Sequence, residues 1–161
     1  MAKIKEAVFD AGPVIHLSEL KKQKCFSLFK KIFISNEVSE ETKNFKKPAN
    51  FAIEGLDGKH KDITKIIAEK HELDLGEASS IALCRQKGIK LFFTDDLEAR
   101  VFAKSFELEV HGTIAILLRC FREKILSKTE TIETLKALKT DSSLFITSDL
   151  IEWAVKEVKK F

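Results

Sequence analysis

Apolar positions along the chain switch between short unbroken runs and stripes at helical spacing. Lys3-Ile4-Lys5 alternates and passes into Ala7-Val8-Phe9, which closes on Asp10. Residues 3–9 are predicted to form a buried strand. Gly12-Pro13 breaks it, and proline suits a first helical turn. Val14, Ile15, Leu17 and Leu20 then make a helical stripe. Cys25, Phe26, Leu28 and Phe29 recur at the same spacing, as a second helix or a continuation. Ile32-Phe33-Ile34 is the second strand, and Ser35 or Asn36 caps a helix running to about 44. Residues 45–61 are Lys-rich, hold Pro48, Gly55 and Gly58, and show little periodicity, so flexibility is expected there.

The alternation continues in the second half. Asp62 to Glu72 and Leu75 to Lys87 read as helices, the latter stopped by Gly88. Leu91-Phe92-Phe93, within a strand predicted for 90–94, again runs into acids, Asp95-Asp96. A helix over 97–106 follows, then an alternating, peripheral strand at 107–110. Further helices are expected at 114–121, 129–139 and 149–160, with Leu144-Phe145-Ile146 between the last two. Strands alternating with helices at this spacing imply an α/β chain with a parallel sheet covered on both faces. No repeat or linker divides it, so one domain over 1–161 is expected, its C-terminal helices (about 128–161) packed on the rest.

Composition narrows this little. The chain has 161 residues, 33% charged and 44% hydrophobic, with 6 Gly and 2 Pro, which excludes collagenous and low-complexity classes. No apolar run suits a membrane span, and the N-terminus lacks the pattern of a signal peptide, so the cytoplasm is the expected location. Cys25, Cys84 and Cys120 are odd in number and widely spaced, which argues against a disulfide framework or a Cys-rich zinc site. The histidines show no ligand spacing. The net charge of +3 says less than its distribution.

Ligand sites in open α/β sheets form beyond the carboxyl ends of the strands. Asp10 and Asp95-Asp96 stand at two such ends. Glu37, Glu40 and Glu41 follow the second strand, and Asp74 and Glu77 open a helix. Gathered together, these carboxylates would repel one another unless a proton or cation joined them, and hard ions such as Mg²⁺ or Mn²⁺ suit an all-oxygen site. Each acid also has a simpler reading: Asp10, Asp95 or Asp96 as an N-cap, Asp74 with Glu77 as a capping box, and the glutamates as first-turn partners of a helix dipole.

The ordered set VFDAGPVIHL, ISNEVSEET, LDLGEASSIALC, LFFTDDLEARVFA and VHGTIAILLRC resembles the PIN-domain nucleases, in particular the prokaryotic branch found near toxin–antitoxin genes. The resemblance covers roughly residues 4–126, and FITSDLIEWAV fits the same branch. It implies a three-layer α/β/α sandwich with a central, mostly parallel sheet. It also implies Mg²⁺- or Mn²⁺-dependent cleavage of RNA, frequent homodimers, and an antitoxin partner in many members. Carried over residue by residue, the first aspartate is Asp10, the glutamate after strand two is Glu41 with Glu40 as the near alternative, the helix-opening acid is Glu77, and the Thr-x-Asp element is Thr94 and Asp96 with Asp95 beside it. Arg100 also matches. Gly12 departs from the pattern: many members carry Ser or Thr there, supplying a hydroxyl that can orient a carboxylate or a water.

Asp10, Glu77 and Asp96, with Asp95 adjoining, are therefore the expected metal ligands. Asp10, Glu41, Glu77 and Asp96 form the expected catalytic set. An acidic site repels an acidic polymer, so RNA must be held elsewhere. Lys21, Lys22 and Lys24, then Lys46 and Lys47, and Arg100 are the candidates, with a merely solvated lysine face as the simpler reading. Phe45, Phe51 and Trp153 are read as packing residues rather than base platforms. A haloacid-dehalogenase-like phosphatase would need a second aspartate where Gly12 stands. The remaining alternative is a catalytically silent PIN-like module that binds RNA or protein.

Overall fold

A computed structural model describes residues 3–161. Five strands form one sheet in the order β3-β2-β1-β4-β5: β1 (Ile4–Phe9), β2 (Phe29–Ser35), β3 (Phe51–Glu54), β4 (Leu91–Phe93) and β5 (Glu109–His111). All four pairings are parallel. Parallel neighbours need long crossovers, and helices supply them. These are α1 (Ala11–Glu19), α2 (Asn36–Glu41), α3 (Gly58–His71), α4 (Leu75–Lys87), α5 (Leu97–Lys104) and α6 (Thr113–Arg122), followed by α7 (Lys128–Thr140) and α8 (Ser148–Lys159).

Strand periodicity divides the core in two. Ala7 and Phe9 of β1, Ile32 and Ile34 of β2 and Phe93 of β4 point to one face, with residues of α1, α6, α7 and α8. Val8, Phe33 and Phe92, the alternate positions, meet residues of α3, α4 and α5 on the other. The result is the expected three layers. α7 and α8 contribute Leu135, Leu138, Ile151, Ala154, Val155 and Val158 to the first face.

Several elements differ from expectation. Gln23–Leu28 is a 3₁₀ turn rather than a helix, and Phe29 already belongs to β2, paired with Ile4. Residues 45–61 are not a loose segment: Phe51–Glu54 is an edge strand on β2, and α3 starts at Gly58 with Asp57 as its cap. Phe51 is drawn in by Phe26, 5.0 Å away edge-on, which local periodicity cannot show. α2 ends at Glu41, because the Thr42 hydroxyl donates to Val38 O and the chain turns. Glu107 sits in the left-handed region (φ 60°), so the last strand begins at Glu109.

Candidate active site

The strand order reverses between β1 and β4, with β2 and β3 on one side and β5 on the other. A parallel sheet opens a crevice at such a switch point, beyond the carboxyl ends. Asp10 leaves β1 there and Asp96 follows β4 there, and Asp10 N bonds Phe93 O at 2.9 Å to hold the two strand ends together. The pocket above them is lined by Asp10, Glu41, Asp74, Glu77, Asp95, Asp96 and Glu98, with no Lys or Arg among its lining residues.

Capping and clustering turn out to be the same residues at work. Asp10 caps α1, its Oδ1 accepting from Ala11 N at 2.8 Å. Asp96 caps α5, accepting from Ala99 N at 2.8 Å through Oδ1. Asp74 and Glu77 form a reciprocal capping box on α4, with bonds of 2.7 and 3.1 Å. Three helix N-termini aimed at one crevice bring their caps with them. Asp96 Oδ2 and Glu77 Oε1 have no hydrogen-bond partner among the described residues.

Two residues fix Asp10 and Glu41. The buried Thr94 hydroxyl donates to Asp10 Oδ2 at 2.7 Å and accepts from Asp96 N at 3.2 Å, bridging the two acids. Glu41 makes no hydrogen bond or ion pair among the described residues; its carboxylate lies against Gly76, where a Cβ would collide with Oε1. Gly76 is thus a notch at the start of α4 that only glycine leaves open. Glu40, the alternative, turns away and pairs with Lys43 at 2.7 Å.

The electrostatics follow from the crowding. Burial pushes the Asp10 carboxyl up to about 7 despite the bonds from Thr94 and Ala11, and Asp74 and Glu41 add to the rise. Burial, then Asp74, Asp96 and Asp10, push Glu77 up to about 8. Glu41 is raised by burial, Asp74 and Glu37.

Asp95 lines the pocket with both of its oxygens hydrogen-bonded. Its Oδ1 accepts from Thr113 N at 2.7 Å, and its Oδ2 accepts from the Thr113 hydroxyl and from His16 Nδ1, both at 2.6 Å. Burial alone would raise this carboxyl; the bonds from His16 and Thr113 outweigh it and hold it low. Asp95 joins α1, the start of α5 and the start of α6, with its oxygens already engaged. Among the described residues, no three or more His, Cys, Asp or Glu side chains stand close enough to hold a metal ion as placed. The donor set does fit a hard cation: carboxylate oxygens only, mutually repelling, with free oxygens on Glu41, Glu77 and Asp96 and no lysine or arginine lining the pocket to offset them.

The family model DUF3368, described as PIN domain, matches residues 6–160. The chain belongs to the PIN-domain family. No curated protein and no solved structure matches it. PIN domains are commonly nucleases, and membership gives the acidic pocket a nuclease-type reading in general terms.

The remaining expected site residues are scattered around this PIN domain. Lys21 is exposed in a left-handed turn (φ 56°). Lys22 and Lys24 both pair with Glu130 of α7, at 2.9 and 2.6 Å. Lys46 is exposed, whereas Lys47 donates to Thr42 O and Phe45 O at 2.8 and 3.2 Å and clips its own loop. Arg100 lies beside the pocket, its Nε donating to Thr94 O at 2.9 Å. Asp74 and Glu98 line the pocket without belonging to the expected site; the D-x-x-E and D-D-x-E spacings are the sequence signal for them. The Gly76 notch and the His16–Asp95 bond had no sequence signal, since both partners lie far apart in the chain. None of the described helices is long and apolar enough to cross a membrane.

Proposed function

We propose that this chain is a Mg²⁺- or Mn²⁺-dependent endoribonuclease acting at the switch-point pocket. The observation that carries the reading is seven acidic residues lining one crevice with no lysine or arginine among them. Such a set is unfavourable unless protons or cations occupy it, and Asp10 and Glu77 already hold protons more tightly than ordinary carboxyls.

Asp10, Glu77 and Asp96 would hold the ion. When bound, it lowers the pKa of an attacking water and offsets charge on the phosphate. Thr94 keeps Asp10 and the Asp96 backbone in register. Glu41, unbonded in its notch, orients the attacking water and accepts its proton. A Ser/His or Cys/His pair is not required, and the three cysteines are buried. The absent hydroxyl at Gly12 is offset in part by Thr94, which reaches Asp10 from the neighbouring strand.

The test is incubation of the purified chain with a mixed RNA pool in Mn²⁺, Mg²⁺ or EDTA, beside Asp10→Asn. Cleavage in either metal that disappears in EDTA and in the variant supports the reading. Cleavage persisting in EDTA, or equal in the variant, overturns it, and binding without cleavage returns the silent-module alternative. An antitoxin partner and a homodimer are part of the same proposal.

A further inference from the structure

A second hollow adjoins the acidic pocket and shares a wall with it: Asp95, Leu97, Leu144 and Phe145 line both. Its chemistry is different. Leu97, Phe145, Leu150 and Trp153 are 74%, 95%, 44% and 51% exposed, an apolar surface of the kind that marks a binding face. The rings of Phe9, Phe26, Phe29, Phe51 and Phe93 pack against one another in the core, whereas Phe145 and Trp153 belong to no such pair. An arginine lines this hollow and not the acidic side: Arg100, 3.9 Å from Asp95 Oδ1, with His111 also in the lining. Arg100 is held by Thr94 O and passes so close to Gly112 that a Cβ there would collide with its guanidinium.

Resting on the nuclease reading, we infer that this groove is the subsite for unpaired bases flanking the scissile phosphate. Phe145 and Trp153 are the stacking faces, and Arg100 is the cation at their edge. Two arguments favour bases over other occupants. A phosphodiester brought to the acids carries its own bases to the shared wall. And the acidic pocket repels a polyanion, so next to it uncharged contacts must add to whatever distant lysines supply; base–aromatic stacking is such a contribution and tolerates any sequence.

The probe is a fluorescent adenosine homopolymer of about 12 nucleotides, within the usual span of such sites, beside its abasic counterpart. Anisotropy is read in EDTA and in Mn²⁺, with cleavage followed on the same samples. The wild-type chain is expected to bind the base-bearing strand about 5- to 150-fold more tightly, the worth of one stacked base. Phe145→Ala and Trp153→Ala should each remove most of that difference, and Trp153→Phe should restore most of it. Equal affinity for both strands, no binding of either, or unchanged discrimination in Phe145→Ala overturns the inference. So does a Trp153→Ala variant that turns a sedimenting dimer into a monomer with RNA affinity intact, which would assign the face to a second copy. Base-dependent binding without metal-dependent cleavage overturns the nuclease reading and leaves the subsite standing; the converse pattern does the reverse.

Discussion

Gly76 separates function from stability within one side chain. A methyl group there meets the far end of Glu41, which can swing away at small cost. Alanine also gains up to about 1 kcal/mol over glycine inside a helix. Gly76→Ala should therefore melt at or above the wild-type temperature while losing at least about 10-fold in Mn²⁺-dependent cleavage. A variant with full activity would show that Glu41 does not act from its notch. The two adjacent aspartates make a second contrast. Removing Asp95 in Asp95→Ala leaves His16 Nδ1 and Thr113 N without their acceptor, at about 1–3 kcal/mol per group. Asp96→Asn removes a cap but keeps a cap-competent amide, and should lose most of the melting shift that Mn²⁺ gives the wild type. If Asp95→Ala loses the metal shift at unchanged stability, the roles are reversed. No sequence pattern separates these neighbours, because the distinction rests on Thr113, eighteen positions away.

Helix caps decide where the acids point. Asp10, Asp74 and Asp96 each accept from the first turn of a helix, and the sheet's reversal of order places those turns around one crevice. Strands β1 and β4 and helices α4 and α5 were legible because their apolar periodicity is local and their ends carry Gly88 or an acid. β3 was not: Phe-Ala-Ile-Glu is short, half-buried and held by pairing with β2 and by the ring of Phe26. The 3₁₀ turn at Gln23–Leu28 was missed for a related reason, since Phe29 has helical spacing but pairs with Ile4. The candidate acids were readable one at a time; the notch, the Thr94 bridge and the Asp95 clasp were not, because each needs a long-range partner.

For the molecule as a whole, the pocket's charge sets its response to pH. Asp10 rises from 3.8 to about 7 and Glu77 from 4.5 to about 8 on folding. Between those limits the folded chain binds more protons than the unfolded one, so metal-free stability should fall as pH rises from about 4 to about 8. With Mn²⁺ the added stabilisation should instead grow with pH, because metal and protons compete for the same oxygens. Melting at pH 5, 6, 7 and 8 in EDTA and in Mn²⁺ checks both slopes; parallel curves would remove the metal from the pocket. The lysines give a second global test. Reversing Lys21, Lys22 and Lys24 to Glu should flatten the salt dependence of RNA binding by about 0.7 per lost contact. Glu130→Gln, which releases Lys22 and Lys24 from their carboxylate, should steepen it. An unchanged slope in both marks a solvated face.

Ser143, Leu144 and Phe145, between α7 and α8, wall the acidic pocket, and α7 and α8 close one face of the core. Glu98, the last acid of the pocket, precedes α8 by about 50 residues, so at roughly 5–20 residues per second the ribosome delivers the acids some 3–10 s ahead of that cover. Over that interval the nascent chain carries every acid of the pocket but neither the wall nor a closed core. On the proposed nuclease reading, a chain that stops short of α8 is expected to show no Mn²⁺-dependent cleavage of RNA, since its acids stand on an open core.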